Sequence, residues 1–514
     1  MYPTIVDTIL SHPFLSGGLA LLVYYAVSTL QAWSRLRHIP GPPLASISYL
    51  WMILTARSAR MSTIFADLSR QYASPVVRIG PNDVLTDDVE LLRRMGAVRG
   101  TYDKSDWYKS LRWQAYVDST FTTSNHAVHD TRKARIAVAY NISGREQVDL
   151  VEPTVDEQVT AMIRLLRGKY LPEPGRLFDF SRVSSYFTMD VVTRAAFGKE
   201  FGNLTQDKDV TGFITGLRDA WPVISMVAEW PFMRRMLFSK TYLWFFGPKP
   251  TDQNGQGKLM GAVVDVVADR FGNDKKVDDV STKKDMLASW KEHGLNRQDC
   301  EAEGLLAIVA GSETSASAMR IIMLSLLSSP VTYCKLKQVV KQAVREGKAS
   351  SPVITKEECS AIPHLRAVIY EGLRMRPPAP CQFPKVVPSQ GETVQGKFFL
   401  PGGTNVGMNL PALLRQEAVF GPDADLFRPE RFMEAADEAQ RIEMERTVEL
   451  VFGSGRWMCA GKPIAFMELY KAFFELFRNF DFQLASPLTP LYSKSYLVFV
   501  EEDMWLKVTE AAME

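Results

Sequence analysis

One cysteine of the chain lies in a loop that could present a thiolate to a metal ion. Residues 452–461 read FGSGRWMCAG, which places Cys459 among three glycines and three residues after Arg456. Glycines permit positive φ and let the backbone approach a flat ligand closely. Pro463 suits the first turn of a helix, where free N–H groups and the helix dipole stabilise a thiolate. A buried cysteine in a glycine-rich turn is the alternative, and the nearby arginine, which can neutralise a ligand carboxylate, favours the reactive cysteine.

A second segment could move protons. Residues 303–315 read EGLLAIVAGSETS within a long apolar stretch that has helical periodicity. Gly311 in mid-helix costs about 1 kcal/mol relative to alanine, so it indicates either close packing or a function. Glu313 and Thr314 place a carboxyl beside a hydroxyl, and general acid–base chemistry needs groups of these types.

Two further patterns carry charge. Glu371 and Arg374 have the spacing of a helical ion pair, which on a surface contributes only about 0.2–0.5 kcal/mol. A sharp helix stop, RPPAP, follows at residues 376–380, and Arg431 lies in the sequence FRPERF. Residues 129–135, HDTRKAR, form a basic helical stretch, for which a solvated charged face is the plain interpretation.

Together these patterns resemble the cytochrome P-450 family, the haem-thiolate monooxygenases. The order and spacing of the motifs agree with that family along essentially the whole chain after its N-terminal segment. The resemblance implies heme b (iron protoporphyrin IX) as the cofactor and Cys459 as the axial ligand of the haem iron. A thiolate ligand favours cleavage of the O–O bond. The resemblance also implies that Thr314 and Glu313 are catalytic and guide protons to dioxygen.

The resemblance assigns the remaining site residues to two groups. Glu371, Arg374 and Arg431 would form a structural network that supports the haem core. The cofactor-binding residues would be Phe452, Gly453, Arg456, Gly461, His129, Lys133, Lys385, Ala310 and Gly311. Arginine is usual in the family at the positions of Lys133 and Lys385, and Arg132 is the alternative to Lys133. Lysine keeps the charge but loses the bidentate fork.

The implied function is oxidation of a lipophilic small molecule with O2, by hydroxylation, epoxidation or demethylation. Electrons would come from NADPH through a separate flavoprotein reductase, because the sequence holds no nucleotide-binding glycine loop. The expected pocket walls are segments 107–123, 306–314, 378–383 and 493–496. Two alternatives keep the haem but change the function: an isomerase or dehydratase that rearranges peroxides without a reductase, and a non-catalytic haem sensor or carrier. The amino-acid sequences of several short segments are similar to those of fungal microsomal, pisatin-demethylase-like enzymes. Such enzymes often serve secondary-metabolite pathways.

The bulk composition is that of an ordinary globular protein. The chain has 514 residues, 46% of them hydrophobic, and a formal net charge of +2, so charge offers no case for a nucleic-acid partner. Five irregularly spaced cysteines without a CxxC pair argue against a zinc site or a disulfide scaffold. Helical periodicity dominates, with short strand-like runs at residues 75–79 and 383–387. We predict a mainly α fold with a smaller β portion (α+β), the cytochrome P-450 fold.

The N-terminal segment predicts a membrane anchor. No charged residue lies between Asp7 and Arg35, and residues 14–33 are about the length needed to cross a bilayer. The positive charges after this span predict a single-pass protein of the endoplasmic reticulum membrane with a cytosolic catalytic domain. A cleavable signal peptide is the alternative, but Asp7 and no Lys or Arg precede the span. We predict an anchor over residues 1–38 and one monooxygenase domain over residues 39–514.

One more segment is unusually aromatic. Residues 221–246 contain eight Phe, Tyr and Trp side chains. Ordinary core packing is one interpretation. The other is a surface that dips into the bilayer and admits lipophilic substrates.

Overall fold

A long helix, here called the central helix, runs through the core of the protein. In the computed structural model, which describes residues 13–141, 145–271 and 285–511, this helix is Arg297–Leu327. It begins where the Asn296 side chain accepts a hydrogen bond from the N–H of Asp299 at 2.9 Å. Most of its side chains are buried all round, as expected for a helix inside a core. The helix Phe180–Phe197 packs against the central helix more extensively than any other element does.

The described part of the chain is mainly helical, which confirms the predicted fold class. The other α-helices are Pro13–Arg35, Pro43–Ile47, Leu50–Arg57, Met61–Tyr72, Val89–Gly96, His126–Tyr140, Arg145–Leu165, Phe180–Phe197, Asn203–Gln206, Phe213–Ala228, Pro231–Leu237, Lys240–Phe246, Gly255–Phe271, Met286–Glu292, Pro330–Arg345, Lys356–Ser360, Pro363–Met375, Leu410–Leu413, Glu417–Phe420, Glu438–Val448 and Lys462–Asn479. Short 3₁₀ turns lie at Asp106–Leu111, Pro429–Phe432, Glu449–Phe452 and Gly455–Trp457, and a π turn at Leu166–Tyr170.

Twelve short strands in the described residues form four small sheets. In chain order they are β1 Val76–Gly80, β2 Asp83–Thr86, β3 Asp103–Lys104, β4 Leu177–Asp179, β5 Lys385–Val386, β6 Glu392–Val394, β7 Phe398–Leu400, β8 Asn405–Met408, β9 Phe480–Leu484, β10 Tyr492–Ser495, β11 Phe499–Glu502 and β12 Trp505–Glu510. Both strand-like runs predicted from the sequence correspond to strands. β1 overlaps the run at residues 75–79, and β5 lies within the run at residues 383–387. The strand orders are β1-β2-β8-β5-β3, β4-β12-β9, β10-β11 and β6-β7.

The five-stranded sheet brings distant segments together. Strand β2 pairs in parallel with β8, and β5 pairs antiparallel with both β8 and β3. In the last pairing, Lys104 lies directly opposite Lys385. This register places two lysines side by side on neighbouring strands.

The N-terminal residues described form a separate helix. Pro13–Arg35 contains the predicted span, and seven of its large apolar side chains are exposed: Leu19, Val23, Tyr24, Tyr25, Val27, Leu30 and Trp33. Among the described residues, the central helix meets the length and hydropathy expected of a membrane span, but 72% of its most apolar window is buried, as in a core helix.

Candidate active site

Two glycines shape the loop that carries Cys459. Gly453 and Gly455 have φ of +70° and +51°, a backbone region that favours glycine. A Cβ on Gly455 would also lie 2.1 Å from the carbonyl oxygen of Gly96, so the loop packs directly on a neighbouring helix end. The N–H of Cys459 closes the turn by donating to the carbonyl of Phe452 at 2.7 Å.

Cys459 lies just before the helix Lys462–Asn479, where the sequence places it. Burial raises the pKa of the Cys459 thiol, while the N–H groups of Gly461 and Lys462 and the charge of Lys133 act to lower it. Gly461 has an ordinary φ of −77°, and a Cβ there would lie 3.8 Å from Sγ. The loop therefore directs backbone donors at the sulfur, as a thiolate requires.

Both the thiol and the middle of the central helix border internal space. The Cys459 side chain is exposed although burial dominates its electrostatics. Ala310 is likewise exposed, yet it lies in the central helix between the buried Val309 and Ser312. A residue in the middle of a buried helix is exposed only where an internal cleft reaches it.

The part of residues 303–315 that carries the predicted proton-guiding side chains is regular helix. The hydroxyl of Thr314 donates to the carbonyl of Ala310 at 2.7 Å, a bond to the residue one turn earlier. Gly311 faces the helix Phe180–Phe197, where a Cβ would lie 2.9 Å from Cγ2 of Val192. Gly311 thus permits close helix packing, whereas Ala310 and Thr314 lie on accessible parts of the helix.

Glu313 points away from solvent into a cluster of polar side chains. Its Oε1 accepts from the hydroxyl of Ser185 at 2.7 Å, and its Oε2 lies 3.3 Å from Nη1 of Arg320. Burial acts to raise the pKa of Glu313, but the charges of Arg320 and Arg218 and the bond from Ser185 lower it overall. Glu313 is therefore a carboxylate near neutral pH.

The predicted Glu–Arg–Arg network is present and fully buried. Arg374 donates to both carboxylate oxygens of Glu371, at 2.7 and 2.8 Å, and Arg431 donates to the same carboxylate at 3.1 Å. Arg374 also donates to the carbonyls of Leu414, Ala424 and Leu426. Asp423 accepts from Arg431 at 2.9 Å and forms a further member that the sequence pattern does not reveal. We call this group the Glu371 cluster.

A pair of buried lysines lies at the edge of the five-stranded sheet. Lys104 and Lys385 are both 6% exposed, are cross-strand neighbours, and approach the ring of Trp457, at 4.8 and 5.7 Å from its centroid. In the described residues no carboxylate lies within ion-pair distance of either one. Burial lowers the pKa of Lys385 to about 7 and that of Lys104 well below its usual value. Lys104 donates to the carbonyls of Thr120 and Phe121, and Lys385 donates to the hydroxyl of Tyr108 and the carbonyl of Phe383. Two buried lysines directly opposite each other disfavour the charged form, and an anionic ligand at this edge would favour it.

The basic residues Lys133 and Arg456 also have protein partners. Lys133 donates to the carbonyls of Arg456 and Met458 at 2.6 and 2.8 Å. Arg456 donates to Asp130 at 3.1 Å and to the carbonyl of Gly100 at 2.7 Å. The ring of His129 lies 4.5 Å from that of Trp457, and burial lowers the pKa of His129 to about 4, so it is neutral at neutral pH.

Arg132 is engaged elsewhere, with Asp299 at 2.5 Å. The structure thus commits Arg132 to the start of the central helix and leaves Lys133 beside the cysteine loop.

These residues fit the group that the sequence implies. A flat dianion with a metal centre needs a thiol that faces open space, a small residue opposite, and cations at one edge. Cys459, Ala310 and the lysine pair supply groups of these kinds. Lys104 and Trp457 were not among the predicted site residues, and the only sequence signal for Lys104 is its place in the segment YDKS at residues 102–105.

Comparisons with known proteins agree with the site. The family model "Cytochrome P450" matches residues 40–504, so the chain belongs to that family and is a haem-dependent monooxygenase. It is 47% identical over 481 residues to "Cytochrome P450 monooxygenase aba1" of Botryotinia fuckeliana, covering 93% of this chain and 92% of that protein. It is 42% identical to "Cytochrome P450 monooxygenase ABA1" of Pyricularia oryzae over the full length of both.

A solved structure, "Crystal structure of cytochrome P450DA heme domain", superposes with a TM-score of 0.71 at 18% identity, covering 92% of this chain and 98% of that one. This likeness establishes the fold. The predicted cofactor, a haem, and the predicted reaction class are confirmed.

Proposed function

We propose that Cys459 is the thiolate ligand of the haem iron and that the haem lies between the cysteine loop and Ala310 of the central helix. The observation that carries the assignment is the exposed thiol with two N–H groups directed at it. Phe452, whose ring lies 5.3 Å from that of Phe466, would pack beside the thiolate. When bound, heme b supplies the activation of dioxygen.

The chain's own residues would hold the cofactor and move protons. The lysine pair and Arg456 would bind the propionates, and contacts of Lys133 with the cysteine loop and of the neutral His129 with Trp457 support their presence at the same edge. Thr314 is free to exchange its bond to the Ala310 carbonyl for one to a reacting oxygen. Glu313, as a carboxylate, would accept and return protons in that relay.

The test of this assignment is spectroscopic. The reduced, CO-bound wild-type protein should show the thiolate band, and Cys459→Ala should lose both the band and all turnover. Cys334→Ala, at an exposed cysteine of the helix Pro330–Arg345, is the matched control and should retain both. A wild-type spectrum without the thiolate band would refute the ligand assignment.

The oxygen chemistry has its own test. Thr314→Ala should divert NADPH electrons to hydrogen peroxide, raising peroxide formed per NADPH several-fold, because a hydroxyl that guides protons is lost. Unchanged coupling would contradict the role of Thr314. Product formation without NADPH or a reductase would favour the peroxide-rearranging alternative.

We infer that the substrate is a lipophilic molecule of a fungal secondary-metabolite pathway, oxidised by hydroxylation, epoxidation or demethylation. An aromatic contact between two expected pocket walls supports a lipophilic substrate, because the rings of Trp107 and Phe383 lie 6.2 Å apart. The two relatives described above carry the names aba1 and ABA1, and the likeness to pisatin-demethylase-like enzymes stays a prediction. Metabolite profiles of a deletion strain would identify the accumulating substrate.

We also propose that the protein is anchored in the endoplasmic reticulum membrane by residues 1–38, with residues 39–514 forming a cytosolic domain that receives electrons from an NADPH-dependent flavoprotein reductase. The exposed apolar helix Pro13–Arg35 supports the anchor. The C-terminal end of that helix is fixed to the sheet, because Arg78 donates to the carbonyls of Ala32 and Trp33 at 2.9 and 3.3 Å.

A second surface supports contact with the bilayer. Trp221 is buried, as core packing predicts, but Phe232, Trp244, Phe245 and Phe246 are 64–77% exposed. A cavity of about 530 Å³ lies beside them, lined in part by Val223, Phe238 and Phe246. In a protein that lacks residues 1–38, replacing Trp244 and Phe245 with serine should weaken binding to liposomes. Unchanged binding would refute the proposal that this surface dips into the bilayer.

A further inference from the structure

Arg320 lies at the centre of a buried group of charges that the expected reaction does not explain. It is on the central helix, seven residues after Glu313, and is 0% exposed. Its Nη1 lies 3.3 Å from Glu313 Oε2 and 3.4 Å from Glu501 Oε2. One guanidinium is therefore shared by two carboxylates from distant parts of the chain.

The rest of this guanidinium is held by one turn of the neighbouring helix Phe180–Phe197. Nε donates to the hydroxyl of Ser184 at 3.0 Å, and Nη2 donates to the carbonyl of Ser181 at 2.9 Å and to the hydroxyl of Ser185. The orientation of Arg320 is thus fixed, since a planar fork with this many partners has a single position. Removing it would leave two buried carboxylates under-compensated.

The surroundings of Glu313 are cationic on two sides. Arg218, from the helix Phe213–Ala228, places Nη2 4.0 Å from Glu313 Oε1 and lies 3.7 Å from Glu502 through Nη1. The helix Phe180–Phe197 contributes serines but no titratable group to the contact. Arg320 is the closer cation and is the less exposed of the two.

The second carboxylate belongs to the hairpin of β10 and β11. Glu501 is 0% exposed and also pairs with Arg376, whose guanidinium lies over the ring of Phe499 at 4.4 Å. This hairpin touches the helix Phe213–Ala228 and the expected pocket wall at residues 378–383. The N–H of Leu497 donates to Ser225 at 3.2 Å, and the N–H of Phe499 donates to Pro378 at 3.4 Å.

We propose that Arg320 is a positioning residue that fixes the orientation and the negative charge of Glu313 and links it to the hairpin that borders the substrate pocket. Its relevance to turnover rests on the proposed proton-relay role of Glu313. Glu501 competes for the same guanidinium, so a shift of the hairpin changes how strongly Arg320 holds Glu313. Residues that contact substrate and the residue that moves protons are thereby joined through one side chain.

The direct test reads the protonation of Glu313 by infrared difference spectroscopy during an acid titration of the full-length holoprotein. The protonated-carboxyl band that Glu313→Gln removes belongs to Glu313. In Arg320→Gln this band should appear at higher pH than in the wild type. In Arg320→Lys, which keeps the positive charge, the band should appear close to the wild-type pH. In Glu501→Gln it should appear at lower pH, because Glu313 then has Arg320 to itself.

Lys471→Gln is the matched control, because Lys471 is also 0% exposed and pairs with two carboxylates, Glu152 and Asp156, on another helix. It should leave the Glu313 band unchanged. An Arg320→Gln band at the wild-type pH would overturn the proposal. If Arg320→Gln does not fold, an unshifted band in Glu501→Gln would overturn it.

A second measurement separates this inference from the proposed function. With a reductase, NADPH and dioxygen as the sole acceptor, peroxide formed per NADPH should rise several-fold in Glu313→Gln and change in the same direction in Arg320→Lys. If the band shifts as expected while Glu313→Gln leaves this ratio unchanged, Arg320 positions Glu313 but the relay role of Glu313 is wrong.

Discussion

The Glu371 cluster and the lysine pair handle buried charge in opposite ways. In the cluster, Glu371 and Arg374 are both 0% exposed, and each is matched by an opposite charge and by further hydrogen bonds. In the lysine pair, two lysines lie side by side on carbonyl and hydroxyl acceptors, with no carboxylate of the described residues in ion-pair distance. The first region keeps its charges through protein partners alone, whereas in the second burial lowers both lysine pKa values and an anionic ligand would favour the charged forms. On the proposed function, the first region is scaffold and the second is the edge that would bind the cofactor.

The largest expected effect is at the scaffold. Arg374→Met leaves Glu371 with one of its two arginine partners in a fully buried site, and breaking such a pair costs about 3–5 kcal/mol. We expect a matching loss in the free energy of unfolding by denaturant, or no folded holoprotein at all. Arg70→Met, which breaks the exposed pair with Asp425, should cost no more than about 1 kcal/mol. Equal losses in the two variants would show that the buried pair contributes no more to stability than the exposed pair.

The second effect is at the cofactor edge. Lys104→Met removes one cation of the lysine pair, so a charge-assisted contact to the haem propionates worth about 1.5–3 kcal/mol is lost. We expect haem transfer to apomyoglobin to become roughly ten- to a hundred-fold faster. Lys397→Met, at an exposed lysine over Phe398, is the control and should not change the rate. A Lys104→Met protein that keeps its haem as firmly as the wild type would show that the pair does not bind the propionates.

The smallest effect is a pH dependence on the pocket side. Glu229 accepts from Trp107 at 2.9 Å and from Gln382 at 2.8 Å, and burial raises its pKa to about 7. The folded protein therefore holds a proton that the unfolded chain releases near pH 4.5. The stability due to this carboxyl is full below that pH and is lost as pH rises through 7.

Replacing this carboxyl should flatten that dependence. Relative to wild type, Glu229→Gln should become more stable by about 1–3 kcal/mol between pH 5 and pH 8. The measurement is the free energy of unfolding at several pH values. A difference between the two proteins that does not vary with pH would show that the Glu229 pKa is not raised.

Much of the site could be predicted because its signals are local. The glycines, Arg456 and Pro463 lie within a few residues of Cys459, so the loop and the helix start follow from short-range backbone preferences. The spacing of Glu371 and Arg374 likewise predicts a helical pair. The sequence suggests only a surface pair, however, whereas the structure buries Glu371 and Arg374 and supplies Arg374 with three carbonyl acceptors from residues 414–426.

Gly311 shows the limit of such local signals. Its place in mid-helix predicts either close packing or a function beside the cofactor, and the structure directs it at Val192 of a neighbouring helix. The aromatic segment at 221–246 divides in the same way, since Trp221 is buried and Trp244 is exposed. Periodicity alone cannot say which face of an element meets a neighbour.

By itself the sequence predicted the thiol ligand and determined the family's fold and the reaction class, because these depend on residue types at short spacings. Only the tertiary structure decided that Lys104 stands opposite Lys385, that Glu313 turns toward Arg320, and that Glu501 shares the same guanidinium. Those pairings join residues far apart in the chain, and burial sets their energies. A charge on a surface is inexpensive, whereas the same charge in a core must have a partner, and the fold determines which one.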